Sequence, residues 1–201
     1  MGSLHSRLKR IFDEGHADEL PGLKTDAAFA PPGEIRAAAV MIGVTERSEP
    51  GVILTHRPRE MRQHAGQVAF PGGKLDPGED AVTAALRETH EELGINPSNI
   101  TVIGASDRFV TGTGFDITPV MGVMPADLEI IPNPDEVSDW FEVPLAFLLD
   151  PANRVRKKTM YRGRLRAYSE IMWEHHRIWG VTAAIVENLS ARLAWEGLAD
   201  G

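Results

Sequence analysis

The stretch GGKLDPGEDAVTAALRETHEELGI, residues 72–95, decides the fold that this sequence predicts. Asp76-Pro77-Gly78 is typical of a turn, and Asp80 is typical of the residue that caps the N-terminus of a helix. Gly94 is typical of the residue that ends one. The apolar residues between Asp80 and Gly94 recur at helical spacing, so we expect one amphipathic helix to follow a glycine-rich turn.

Three carboxylates crowd one side of this predicted helix. Glu88 lies three residues before Glu91 and four before Glu92, and a like-charged pair at such a spacing costs about 0.2–0.5 kcal/mol on an isolated helix. They also lie near the C-terminal end, where the helix dipole disfavours anions. One interpretation is a solvated acidic face relieved by Arg87. The other is a bound cation, and carboxylates without cysteine or paired histidine suit Mg²⁺ or Mn²⁺.

Composition excludes several classes of function. The chain has 201 residues and no cysteine, so a disulfide framework, a thiolate zinc site and a cysteine nucleophile are excluded. A net charge of −8 argues against binding to nucleic acid, but not against a small anionic substrate. No apolar run approaches the roughly 18 residues of a membrane span, and the first residues do not resemble a signal peptide. We therefore expect a cytoplasmic protein that does not bind membranes.

The remaining periodicities predict an α+β fold with a mixed sheet flanked by helices. Strands are expected at 36–45, 51–57, 67–70, 100–106, 115–124 and 165–175, with a strand leading into a short helix at 140–150. Further helices are expected at 3–14 and 179–195. Pro119 should place its strand at an edge or a bulge, because proline cannot donate to a sheet. We divide the chain into an N-terminal helix and linker (1–35), a main domain (36–195) and a tail (196–201).

The spacing of the opening stretch resembles the signature of the Nudix hydrolase family. From Gly73 it reads G-x5-E-x7-R-E-x-x-E-E-x-G, followed by Ile95. Seven fixed letters would match by chance at on the order of 10⁻⁸ per start position. Thr89 departs from the pattern, since the family has an aliphatic residue there, but its methyl group can still pack on the core. The resemblance implies an α/β/α sandwich that hydrolyses a diphosphate linked to another moiety, using Mg²⁺ or Mn²⁺.

The resemblance also implies roles for individual residues. Glu88 and Glu92 would be the main metal ligands, with Glu91 and the carbonyl of Gly73 contributing. Arg87 and Glu79 would hold the loop against the helix, which places Arg87 among the catalytic residues. Members of the family differ in the general base. Glu136, in the turn PNPDEV, is the first candidate, and Glu91 is the rival; an exposed turn acid is the alternative for Glu136.

A second motif lies upstream of the first. Leu54-Thr55-x-Arg57, Arg62, Gly66 and Phe70-Pro71-Gly72-Gly73 resemble the extra motif of the coenzyme A diphosphatase branch of that family, with Pro58 as the one mismatch, and residues 175–186 look like the same branch. Arg57, Arg62, Gly66 and Gly72 are accordingly expected to bind substrate. Arginine suits this role because its guanidinium binds phosphate through two parallel hydrogen bonds. A surface arginine paired with a local acid is the alternative.

Several functions remain open at this point. The first is hydrolysis of coenzyme A or its acyl derivatives to 3′,5′-ADP and 4′-phosphopantetheine or its acyl form. The second is hydrolysis of ADP-ribose, NADH or another dinucleotide, a damaged nucleotide or capped RNA. The third is a non-catalytic Nudix-fold binding module, and the fourth is an acidic-helix interaction protein. The basic segment 154–166 is either a solvated face or, with the N-terminal helix, part of a homodimer interface.

Overall fold

The protein contains a mixed β-sheet with helices on both faces. The computed structural model describes residues 2–33, 35–58 and 66–193. Within these residues the helices are α1 (Leu4–His16), α2 (Ala81–Leu93), α3 (Leu145–Leu149) and α4 (Val181–Arg192). The strands are β1 (Arg36–Glu46), β2 (Gly51–His56), β3 (Val68–Ala69), β4 (Gly72–Lys74), β5 (Thr101–Ala105), β6 (Phe109–Val110), β7 (Phe115–Pro125), β8 (Asp139–Pro144), β9 (Arg154–Tyr161), β10 (Arg164–Trp173) and β11 (His176–Trp179).

Strand β1 is the centre of the main sheet. It runs parallel to β7 along its whole length, from Arg36 opposite Phe115 to Glu46 opposite Pro125. It is antiparallel to β2 and β4, while β2 continues the sheet to β3 and β8, and β7 continues it to β5 and β6. A separate antiparallel sheet contains β9, β10 and β11. The predicted α+β class with a mixed sheet is confirmed.

Alternation along β1 separates two cores. Ile42 and Val44 point to the face covered by α1, α3 and α4, whereas Ala39 and Met41 point to the face covered by α2. Successive side chains of a strand face opposite sides, so one strand contributes to both cores. The result is the α/β/α sandwich that the resemblance implies, and among the helices of the described residues α2 is the one that covers the face of Ala39 and Met41.

Helix α1 is part of the main core. Leu4, Leu8 and Phe12 are buried in the same cluster as α3 and α4. The boundary proposed at residue 35 therefore lies between α1, which packs on the sheet, and β1, the first strand of that sheet. This division of the chain stays a prediction. The proposed tail 196–201 lies outside the described residues.

Of the two placements expected for Pro119, an edge strand or a bulge, the edge is wrong. Strand β7 lies inside the sheet, between β1 on one side and β5 and β6 on the other. The Pro119 carbonyl accepts a hydrogen bond from the Ser106 N–H (2.8 Å), in the segment that links β5 to β6. The N–H and C=O of one residue point to the same side of a strand. The proline nitrogen, which has no hydrogen to donate, therefore faces the segment between β5 and β6. Strand β5 also carries a register shift between Val102 and Gly104.

The C-terminal third contains more strand than the periodicity predicts. The basic segment 154–166 forms β9 and the start of β10, and β11 occupies His176–Trp179. Helix α4 consequently begins at Val181, later than residue 179, after Gly180 with φ 65°. The Thr182 hydroxyl donates to the Val68 carbonyl (2.9 Å), which ties the start of α4 to β3. No helix in the described part of the chain is long and apolar enough to cross a membrane.

Candidate functional site

Helix α2 has the ends that its sequence predicts. The Asp80 side chain accepts a hydrogen bond from the Thr83 N–H (2.8 Å), and Gly94 adopts a left-handed conformation with φ 70°. The exception to the motif, Thr89, is fully buried and donates its hydroxyl to the Ala85 carbonyl (2.6 Å). Because the hydroxyl is satisfied within the helix, threonine is accommodated on the face that packs against the sheet.

Three carboxylates converge beside α2. Glu88, Glu92 and Glu136 each offer an oxygen, and these oxygens lie within 4.8 Å of one another. Glu92 is only 6% exposed, and the other two are half-buried. Glu91 differs from them: its exposed carboxylate accepts from Arg87 Nη1 at 3.0 Å and stands outside this group of three. We call Glu88, Glu92 and Glu136 the carboxylate triad.

The third carboxylate reaches α2 because its loop caps the helix. The Ile131 and Asn133 N–H groups donate to the Leu93 and Glu92 carbonyls, each at 2.9 Å. These carbonyls have no partner within the helix. The Asn133 carbonyl then accepts from the N–H of Glu136 (3.0 Å) and of Val137 (2.8 Å). The turn is thereby fixed to the end of α2, and Glu136 is brought next to Glu88 and Glu92.

Arg87 joins the loop before α2 to the helix. Its guanidinium donates to both oxygens of Glu79 (2.9 Å each) and to the Lys74 carbonyl (3.0 Å). It also donates to Glu88 (2.9 Å) and Glu91 (3.0 Å). Glu79 in turn accepts from the Asp76 N–H (2.9 Å). These contacts orient Glu88 and connect the glycine-rich strand β4 to the acidic side of α2.

The two glycines at the start of β4 make room for the triad. A Cβ atom on Gly73 would lie 2.4–2.6 Å from the carboxylate atoms of Glu88. A Cβ atom on Gly72 would lie 2.3 Å from the Ala39 carbonyl oxygen, so the strand pairing with β1 also requires glycine there. The Gly72 N–H donates to Glu92 Oε2 at 3.3 Å. Both glycines therefore contribute to the position of an acidic side chain.

The triad is short of positive charge. Burial raises the pKa of Glu92 to about 8, and the charge of Glu88 adds to this, whereas Arg57 opposes it. Burial also raises the pKa of Glu88, against the hydrogen bond from Arg87. Clustered carboxylate oxygens that lack compensating charge are the donors that hard divalent cations prefer. The three carboxylates, each with an oxygen within 4.8 Å of the others, are a donor set that fits such an ion.

Arg57 approaches the triad from the end of β2. Its N–H donates to the Gln67 carbonyl, and its own carbonyl accepts from the Gly66 N–H, both at 3.0 Å. Gly66 has φ 66°, a conformation that glycine adopts readily. These two hydrogen bonds join the residue after β2 to the residues just before β3. The Arg57 charge lies near enough to Glu92 to act on its carboxylate. Arg62, the other predicted phosphate ligand, lies outside the described residues.

Asn133 contributes to the site through its hydrogen bonds with Glu92 and Glu136, but the sequence motifs do not indicate this role. Asn133 was not singled out, although its position between two prolines is a turn signal. Elsewhere in the structure, the sequence motifs do not indicate the pair His56 and His176, whose ring nitrogens Nε2 and Nδ1 lie 2.8 Å apart. Because 120 residues separate these histidines, no local spacing indicates that they meet.

Gly73→Ala is expected to lower activity about 100-fold while changing the free energy of unfolding by less than about 1 kcal/mol. The added methyl group would displace the Glu88 carboxylate, which the resemblance implies is a metal ligand, and a misplacement of about 1 Å near a reacting centre costs on that order. Stability should change little because the displaced atoms are the end of a flexible side chain. Steady-state kinetics and chemical denaturation test both parts. Unchanged activity would show that the position of Glu88 does not matter.

The family assignment follows from comparison with known proteins. The NUDIX domain family matches residues 34–163, more than half of the chain. The chain belongs to the Nudix family and is a Nudix hydrolase, a pyrophosphohydrolase of a class that generally uses divalent metal ions.

Similar proteins support this assignment. The chain is 43% identical over 163 residues to the uncharacterized Nudix hydrolase NudL of Escherichia fergusonii, which covers 79% of this chain and 83% of that protein. NudL of Escherichia coli strain K12, also described as uncharacterized, is 42% identical over the same length and coverage. The crystal structure of the Nudix hydrolase RenU from M. smegmatis has a TM-score of 0.50 at 24% identity, over 63% of this chain and 81% of that chain. That last likeness concerns the fold.

Proposed function

We propose that this Nudix hydrolase cleaves the diphosphate bond of coenzyme A or its acyl derivatives. The observation that carries the proposal is the approach of Arg57, from the segment Leu54-Thr55-x-Arg57, to the carboxylate triad. A diphosphate bound at the triad would lie within reach of this guanidinium, which binds phosphate oxygens through paired hydrogen bonds. Arg62 and Gly66 are proposed to complete the phosphate-binding segment.

Glu88 and Glu92 are proposed to hold Mg²⁺ or Mn²⁺, with the Gly73 carbonyl as a further ligand. The ion would neutralise diphosphate oxygens and lower the pKa of bound water. Arg87 would keep Glu88 in position through the hydrogen bonds that link it to Glu79 and Glu88. The role of Arg87 is thus to position a ligand, since its donors are engaged by protein groups.

Glu136 is proposed as the general base. Its carboxylate lies in the triad and accepts a long hydrogen bond from the Asn133 side-chain amide, at 3.4 Å. Glu91, the rival base, is engaged by Arg87 and is exposed to solvent. A base must reach the proton that it accepts, so the position of Glu136 favours it.

The proposed reaction is the hydrolysis of the diphosphate by one water molecule. A water oxygen forms a bond to one phosphorus of the diphosphate, and the bond from that phosphorus to the bridging oxygen breaks. Glu136 accepts the proton that water loses. The products are 3′,5′-ADP and 4′-phosphopantetheine, or its acyl form, each with a terminal phosphate. No electrons are transferred, and water is the only co-substrate.

Substrate preference tests this proposal. With Mg²⁺ or Mn²⁺, we expect a higher kcat/KM for coenzyme A than for ADP-ribose or NADH, and products resolved by chromatography should include 3′,5′-ADP. A higher kcat/KM for ADP-ribose or NADH would contradict the coenzyme A assignment and leave the hydrolase assignment intact. Absence of turnover with every substrate and both metals would favour a binding module.

Arg57→Lys is expected to raise KM for coenzyme A about tenfold. Lysine keeps the charge but loses the paired hydrogen bonds, and one charge-assisted hydrogen bond contributes about 1.5–3 kcal/mol. The matched control is Arg47→Lys, since Arg47 follows the end of β1 and pairs with Glu142 at 3.0 Å. Equal effects of the two substitutions would argue against a phosphate-binding role for Arg57.

We also propose a homodimer through β9 and β10. Of the two segments predicted to take part, α1 packs its apolar side against its own sheet. In the other, Met160 and Leu165 lie directly opposite each other and are 66% and 62% exposed. Light scattering should give twice the chain mass for the wild type and a lower mass for Leu165→Ser; a wild-type monomer would refute the dimer.

A further inference from the structure

A second cluster of metal-binding side chains lies at the turn between β10 and β11. Trp173 and His176 face each other across this antiparallel pair, and Glu174 and His175 form the turn between them. Glu174, His175 and His176 each offer a ligand atom, and these atoms lie within 4.8 Å of one another. The rings of His175 and His176 are 4.0 Å apart between centroids. The cluster therefore presents two imidazoles and one carboxylate.

His176 is held in a fixed orientation. It is only 5% exposed, and its ring stacks on Phe141 with centroids 3.6 Å apart and planes 5° apart. Its Nδ1 lies 2.8 Å from His56 Nε2. In the tautomer in which Nδ1 donates this hydrogen bond, Nε2 carries the lone pair that a metal ion requires. Metal-binding histidines commonly use their other nitrogen in this way, which fixes both tautomer and ring orientation.

The cluster is open to solvent on one side. Glu174 and His175 are exposed, so an ion reaches the cluster directly from solvent.

We propose that Glu174, His175 and His176 bind a divalent transition metal ion of the class that prefers imidazole, such as Zn²⁺. Two histidines and one carboxylate, with further positions left to water, are a ligand set found for zinc. This donor chemistry differs from that of the carboxylate triad, whose oxygen donors suit harder ions. The two sites should therefore be distinguishable by the metal that each binds.

Imidazole NMR during a Zn²⁺ titration tests the proposal. The tag-free full chain is labelled with ¹⁵N and kept in excess Mg²⁺, and no turnover is measured, so the result is independent of the proposed hydrolysis. We expect the ring nitrogens of His175 and His176 to shift and the shift to saturate, while those of His5 on α1 stay unchanged.

Two variants complete the test. His175→Ala should weaken Zn²⁺ binding at this site at least tenfold, since loss of even an outer partner of a ligand costs about 10–100-fold. His5→Ala, the matched control, should leave it unchanged. Equal shifts at His5 and His175, unchanged rings at His175 and His176, or wild-type affinity in His175→Ala would each overturn the proposal. Because His175 is exposed, the variant should fold normally, which unshifted ring resonances of His5 and His16 would verify.

Discussion

Glu92→Gln is expected to lower kcat for diphosphate hydrolysis about 10³-fold, equivalent to about 4 kcal/mol of transition-state stabilisation. Glu92 is the most buried member of the carboxylate triad, and its carboxylate accepts the Gly72 N–H. Glutamine has nearly the same shape but lacks the charge that holds a divalent ion. Initial rates at saturating Mg²⁺ or Mn²⁺ measure this effect.

The same substitution should not destabilise the metal-free protein. Three carboxylate groups with oxygens within 4.8 Å repel one another when charged, and a neutral amide removes part of that repulsion. We expect the metal-free variant to unfold at the same temperature as the wild type or higher. Glu14→Gln, at an exposed position of α1, is the control and should change neither property by a measurable amount. Loss of activity together with a large loss of stability would point to a structural role for Glu92.

Glu136→Gln is expected to lower kcat about 100-fold or more, whereas Glu91→Gln should retain activity within about tenfold of the wild type. General-base catalysis commonly contributes about 10²–10⁴-fold. Glu136 lies in the triad, while the exposed Glu91 is paired with Arg87. Measuring kcat against pH separates a base from a ligand, because loss of the base should remove the acidic limb of the profile.

The reverse ranking would reassign the base. If Glu91→Gln lost 100-fold and Glu136→Gln retained activity, Glu91 would have to leave Arg87 and turn toward the substrate during the reaction. A loss in both variants that higher metal concentration restored would instead indicate that both residues bind the ion.

Local signals were sufficient to predict the elements nearest the site. The caps of α2, Asp80 and Gly94, act through residues within one turn of the helix, so sequence spacing reveals them. Strands β1 and β7 were predicted at nearly their full lengths because continuous apolar runs are typical of buried strands. Strand β9 was not predicted, since its exposed and largely basic side chains lack the alternation of a half-buried strand.

Local sequence patterns do not predict contacts between segments that are far apart in the chain. Pro119 is tolerated inside the sheet because β5 and β6 are interrupted opposite it, a property of two other strands. The grouping of Glu136 with Glu88 and Glu92 depends on a loop that caps α2. The motif indicated the acidic side of α2, but the difference between Glu91 and Glu92 in burial follows from packing against the sheet.

The most direct test of the account is to locate the metal ion. Crystals soaked in Mn²⁺ and measured for anomalous scattering would show where the ion binds. We expect a peak beside Glu88, Glu92 and the Gly73 carbonyl that disappears in Glu92→Gln. Absence of a peak among these carboxylates at saturating Mn²⁺, or an unchanged peak in Glu92→Gln, would contradict the account.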